Sequence, residues 1–212
     1  MEHNLIQKIC IWLIPLIFAI TVHEVAHGWV ASKFGDQTAR LQGRLTLNPV
    51  KHIDLIGTIV IPLLMLMFSP VIFGWAKPVP VDQRNLRSPR VDMIFVAAAG
   101  PGSNLLMALF WGMIAKSAEY MSAWFAPLAL MGIAGIQINV MLAVLNFIPI
   151  PPLDGGRILS NVLSGRFAWY FYRLEPYGFL ILLILVFTGI LSSILYPPIY
   201  FLTHGIVDLF RI

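Results

Sequence analysis

Apolar residues gather in five blocks, Ile9–Ser32, Leu55–Ala76, Met93–Ala115, Tyr120–Leu153 and Pro176–Val207, fenced by charged connections. Each is long enough to enter a bilayer, because about 20 apolar residues in a helix cover the hydrocarbon layer. The pattern predicts an all-α polytopic membrane protein, a bundle of about four to six membrane segments. Gly57, Pro62, Ser69, Pro70 and Gly74 interrupt the second block, and Pro78 and Pro80 follow it. Proline removes a backbone donor and disfavours helix in the residue before it, so residues 55–81 are expected to be re-entrant or a hairpin rather than one straight helix.

Composition fixes the solvent: 58% of residues are hydrophobic, 11% are charged and the mean hydropathy is +0.82. Residues 1–212 are expected to form a single domain with no separate soluble one. The first span lacks the cleavage pattern of a removable signal peptide and reads as retained. A net charge of +4 suits basic loops of a membrane protein and no nucleic-acid partner. Cys10, the one cysteine, excludes an intramolecular disulfide and reads as a packing residue.

Charged chemistry lies inside the first block, as His23-Glu24-Val25-Ala26-His27. Ionisable groups are expensive at membrane depth, so this pentapeptide asks for a function. On a helix the two histidines share one face, at the spacing that lets two imidazoles hold one zinc ion. Glu24 sits beside them as the candidate general base for a water. A third protein ligand is then required, and Asp154 stands out in Asn146-Phe147-Ile148-Pro149-Ile150-Pro151-Pro152-Leu153-Asp154-Gly155-Gly156-Arg157. Three prolines favour an extended path, and two glycines permit a sharp turn that aims the carboxylate inward. A plain helix-capping role for Asp154 is the competing reading.

With HExxH in one span and NxxPxxPxDGG in a later one, the chain resembles the site-2 proteases, zinc intramembrane metalloproteases. A further element, Gly-Pro-x-x-Asn, matches Gly100-Pro101-Gly102-Ser103-Asn104. The resemblance reaches from residue 23 to residue 157. It implies that His23, His27 and Asp154 bind one zinc ion, that Glu24 activates the water, and that Asn146 binds the substrate backbone or stabilises the oxyanion. Asn104 is a second candidate for such contacts, and a plain interhelical hydrogen bond is the competing reading for both asparagines. It further implies a zinc metalloendopeptidase that cuts within or next to transmembrane segments of membrane-protein substrates. Larger members carry PDZ or CBS domains, for which this chain leaves no room. Two rival readings are a metal or proton transporter, whose ionisable groups form a relay across the bilayer, and an inactive binding module, which has no need of Glu24.

Shared ligation also constrains topology. The histidines lie nearer Lys33 than Lys8, so the zinc belongs near the face where the first span exits. Five simple crossings would deliver Asp154 to the opposite face. If block two returns to the side it left, Asp154 arrives beside the histidines. Lysine and arginine then divide as eleven (33, 40, 44, 51, 77, 84, 87, 90, 157, 166, 173) against Lys8, Lys116 and Arg211, where simple crossings give eight against six. Because cytoplasmic loops carry the excess, the expected arrangement is a cell-membrane protein with its N-terminus outside and its zinc near the cytoplasmic face.

Some residues receive bland readings. His3, His52 and His204 lack a metal partner at useful spacing and read as surface or interfacial groups. Phe167–Tyr172 between Arg166 and Arg173 reads as an interfacial aromatic belt. Gly74-Trp75-Ala76-Lys77-Pro78-Val79-Pro80-Val81 has an extended tendency, which makes Trp75 and Lys77 candidates for presenting a β edge to an unwound substrate. Pro176–Val207 is expected either as one span or as a span plus a short helix broken at Pro197-Pro198.

Overall fold

The computed structural model describes residues 5–60, 76–121 and 123–212, and every α-helix named below lies within them. Helix α1 (Leu5–Lys33) stops because Gly35 adopts a φ of 115°, a left-handed conformation that glycine enters without a Cβ penalty. The amides of Gly35 and Asp36 then close on the carbonyls of Ser32 and Ala31, the double bond of a Schellman cap. A single turn, α2 (Thr38–Leu41), and a 3-10 turn at Pro49–His52 follow.

Two long helices carry the core. Helix α3 (Pro89–Glu119) starts on a proline, with the Asp92 carboxylate accepting the Ser88 amide at 2.7 Å. Helix α4 (Ala126–Phe147) ends as the chain approaches Pro149, which disfavours helical geometry at Ile148. Lipid is as apolar as leucine, so these helices must associate through close packing, and small residues supply it. A Cβ on Gly132 would lie 2.6 Å from the Ala115 methyl, and one on Gly135 would lie 2.2 Å from the Trp111 ring. Ala108, Trp111, Ile136, Val140 and Ile206 form the buried centre of this packing.

Helix α5 (Asp154–Val162) packs against α3, and the aromatic helix α6 (Gly165–Leu174) follows. The apolar helix α7 (Gly178–Phe187) precedes α8 (Ile190–Phe210). The last apolar block is therefore divided, but at Gly189 (φ 73°), whereas Pro197 and Pro198 lie inside α8. The Phe210 ring covers Gly112, and Lys116 Nζ donates to the Arg211 carbonyl at 3.0 Å, so Lys116 and Arg211 share an end of the bundle. Among the described residues, five helical stretches have the length and apolarity to cross a membrane: Ile9–Lys33, Pro89–Glu119, Ala126–Phe147, Gly165–Phe187 and Ile190–Phe210. Outward residues such as Trp12, Phe18, Leu106 and Phe201 are about half exposed or more, as lipid-facing side chains should be.

The return of block two is visible in its flanks. Lys77 N donates to His52 O at 2.9 Å and Arg87 N donates to Phe34 O at 3.0 Å, so the chain re-enters α3 at the end where it left α1. Residues 61–75, Trp75 among them, lie outside the described residues. Before them Leu55–Val60 forms a π-helical turn seeded by Asp54, which accepts the Gly57 amide at 2.7 Å; residues 76–82 after them carry no regular secondary structure. Two bland readings change. Cys10 is exposed rather than packed, and His52 is buried, its Nε2 donating to the Thr46 carbonyl at 2.9 Å.

Candidate active site

His23 and His27 lie on α1 where it meets α3, and they are 8% and 5% exposed. Their Nε2 atoms stand 3.1 Å apart, and Asp154 Oδ2 stands 3.2 Å from each. Zinc bonds of about 2.0–2.2 Å in tetrahedral geometry set ligand-to-ligand edges of about 3.3–3.6 Å, close to this triangle.

Hydrogen bonds fix what these atoms are. Gly135 O can only accept, so Asn139 turns its Nδ2 toward it at 2.8 Å and offers its oxygen to Asn104 Nδ2 at 2.9 Å. Asn104 Nδ2 also donates to Ala19 O at 3.2 Å, which leaves Asn104 Oδ1 to accept from His23 Nδ1 at 2.6 Å. His27 Nδ1 donates to the Val96 carbonyl at 2.7 Å. Both protons therefore sit on Nδ1, and both Nε2 lone pairs face a buried Asp154 Oδ2 that has no hydrogen-bond donor of its own. Three buried acceptors converging on one point repel one another until a cation occupies it. A proton would bridge two of them; a divalent ion satisfies all three. The donor set, two imidazoles and a carboxylate, is one that zinc takes in catalytic sites. Among the described residues it is the one group of three or more His, Cys, Asp or Glu side chains gathered in this way.

Glycines let the backbone come close enough. A Cβ on Gly100 of α3 would lie 2.3 Å from His27 Nε2 and 2.6 Å from His23 Cε1, inside the ring atoms. Asp154 occupies the first position of α5, where a helix N-terminus favours negative charge. Gly155 and Gly156 follow for a different reason from a sharp turn, since neither has a positive φ. A Cβ on Gly155 would lie 2.3 Å from Phe147 O and one on Gly156 would lie 2.6 Å from Pro151 N, so the pair lets α5 begin directly against residues 147–151.

Glu24 lies beside the triangle in sequence, and its Oε2 accepts the Val79 amide at 2.7 Å. The irregular segment 76–82 is tied down by hydrogen bonds at residues 77, 78, 79 and 82. Arg44 Nη2 donates to Lys77 O and Pro78 O at 2.9 and 3.3 Å, and Asp82 N donates to Asp36 Oδ2 at 2.7 Å. Burial alone would raise the Asp36 carboxyl, but hydrogen bonds from the Thr38 hydroxyl, Asn85 and the Thr38 and Asp82 amides outweigh it and hold the group below the ordinary carboxylate value.

The other expected residues fall in different places. Asn104 is wholly buried with both ends of its amide bonded, so it orients His23. Asn146 is half-buried and donates to Leu142 O within its own helix at 2.9 Å. The Lys77 side chain is exposed, while its backbone is bonded at both ends. Lys77 and Val79 spend their amides on His52 O and Glu24, and Pro78 and Pro80 have none, so residues 77–80 have only carbonyls left for a substrate strand. Asn139, Arg44 and the Val79 amide had no signal in the sequence, because each acts through a partner 33 to 55 positions away.

Comparison with known sequences agrees with this arrangement. The profile of peptidase family M50 matches residues 11–188. The chain is 40% identical over 203 residues to "Putative zinc metalloprotease YwhC" of Bacillus subtilis (strain 168), covering 93% of this chain and 90% of that one. It is 28% identical over 186 residues to "Putative zinc metalloprotease Rip2" of Mycolicibacterium smegmatis, covering 87% and 69%. A protein of the same name from Mycobacterium tuberculosis (strain H37Rv) is 26% identical over 195 residues, covering 90% and 70%. No solved structure matches.

Proposed function

Because the chain belongs to peptidase family M50, the site-2 family of zinc metalloproteases, we propose that it hydrolyses peptide bonds within or next to transmembrane segments of membrane-protein substrates. The observation that carries this reading is the buried triangle of two Nε2 atoms and Asp154 Oδ2, on helices apolar enough to span a bilayer. In this reading His23, His27 and Asp154 hold the zinc. When bound, zinc supplies a Lewis acid that lowers the pKa of a water to about 7.

The chain's own residues do the rest. Glu24 takes the proton of the attacking water and returns it to the leaving amine. The Val79 amide holds the Glu24 carboxylate in place until then. Asn104, backed by Asn139, keeps His23 in the tautomer with a free Nε2. Asn146 contacts the substrate backbone or the developing oxyanion, the role the family motif implies for that position. Helical peptide bonds are shielded by their own hydrogen bonds, so the substrate unwinds locally before it is cut. Lys77 lies beside its path, with the Val79 and Pro80 carbonyls available as acceptors. The protein sits in the cell membrane with its N-terminus outside, and water reaches the site from the cytoplasmic face.

A relay-type transporter gains no support, since among the described residues the metal-ligating groups gather at one point. Reconstitution in vesicles with a fluorescent single-span peptide tests the proposal. Cleavage that a chelator stops and zinc restores, with product masses placing the cut within or beside the span, is the expected result. Cleavage confined to soluble peptides would overturn it.

A further inference from the structure

Arg44 is buried at 8% exposure, and among the described residues no carboxylate pairs with it. A guanidinium withdrawn from water without a counter-ion is costly, so its remaining bonds should explain its place. They go to two consecutive backbone carbonyls, Lys77 O and Pro78 O, through Nη2. The arginine is itself anchored. Gly43 turns the chain with a φ of 62°, and Arg44 N donates back to Ala39 O at 2.9 Å. Immediately beyond the clamped carbonyls, the Val79 N–H donates to Glu24 Oε2. Prolines on both sides of Val79 restrict the backbone there, so moving the carbonyls of residues 77 and 78 moves the Val79 amide with them.

We propose that Arg44 is a positioning residue for proton transfer: by gripping the carbonyls of Lys77 and Pro78, it aims the Val79 N–H at Glu24 and so orients the carboxylate toward the reacting water. The role rests on Glu24 being the base, as proposed above. It acts at one remove, because Arg44 touches neither Glu24 nor the ligand triangle. A misplacement of about 1 Å at a reacting group costs about 100-fold in rate. Losing the clamp should therefore lower kcat about 10- to 100-fold, while zinc content is kept and KM stays near wild type.

The test compares Arg44→Gln, Val79→Pro and the double variant in reconstituted protein. Zinc content, KM, kcat and amide exchange of the 76–82 region are measured for each. Val79→Pro removes the donor outright while leaving Arg44 intact, so an unchanged kcat in that variant refutes the proposal even if Arg44→Gln folds poorly. Expected are a fall in kcat at constant KM in both single variants, a double variant no slower than the slower single, and faster exchange of the Lys77 and Val79 amides in Arg44→Gln. Multiplicative losses, or an Arg44→Gln enzyme with faster exchange and unchanged kcat, would overturn the proposal. Failure of the wild type to cut any membrane peptide would sink the functional reading instead. The exchange measurement still judges the clamp in that case, because unchanged exchange in Arg44→Gln refutes it.

Discussion

Comparing alanine with aspartate at Asn104 separates zinc binding from folding. Asn104 is wholly buried and makes three bonds, to His23 Nδ1, Asn139 Oδ1 and Ala19 O at 2.6, 2.9 and 3.2 Å. Removing it strands an imidazole N–H, an amide oxygen and a carbonyl away from water. At about 0.6–1.7 kcal/mol for each bond inside a helical membrane bundle, the loss of stability is about 2–5 kcal/mol. Loss of the partner that orients a metal-bound histidine typically weakens metal affinity about 10- to 100-fold, or about 1.4–2.7 kcal/mol. Asn104→Ala should therefore bind zinc that much more weakly, read by competition with a chelator well below the melting temperature. Asn104→Asp keeps an acceptor for His23 but cannot, as a carboxylate, donate to Asn139 and Ala19. It should melt early while holding zinc nearly as well as wild type. Unchanged zinc affinity in Asn104→Ala would refute the inference that this amide sets the tautomer and aim of His23.

Gly100→Ala puts a methyl 2.3 Å from His27 Nε2, so the variant should fold yet retain little zinc on metal analysis; full zinc occupancy would contradict the packing described. Asp36, whose carboxyl is held low by its donors, stabilises the fold above the unfolded value of about 3.9 and loses that contribution as pH falls through the lower folded value. The melting gap between wild type and Asp36→Asn should then be full near pH 7 and shrink below about pH 4; a gap independent of pH would refute it. Cysteines placed at the exposed positions Arg40 and Arg84 should label from one and the same face of the membrane, and labelling from opposite faces would break the topology.

Why some of this was legible beforehand follows from the range of each interaction. The His23–His27 spacing is set by one helix, and Asp154 by a proline-glycine string, so both could be read locally. The expected co-ligation then requires block two to return, and the His52–Lys77 and Phe34–Arg87 bonds bring its two flanks to one end of the bundle. What escaped notice depends on which distant segment packs where. His52 reads as interfacial in the sequence because its bonds, to Thr46 O and from Lys77 N, depend on how residues 46–52 meet the irregular segment 76–82. Gly155 and Gly156 suggested a bend but serve a close approach, which depends on residues 147–151. The break at Gly189 lost to the more conspicuous Pro197-Pro198, although α8 accommodates both prolines. For Asn104 the sequence leaves open a substrate contact or a plain interhelical hydrogen bond, and the partners that favour the second, His23 and Asn139, lie 81 and 35 positions away.

Glu24→Gln bears on the central claim most directly, because it removes the proposed base while preserving shape and all three proposed ligands. Purified and reconstituted, the variant should carry the wild-type zinc content and cleave a single-span peptide about 100- to 10,000-fold more slowly, the usual contribution of a general base. Zinc retained with undiminished cleavage would contradict the account.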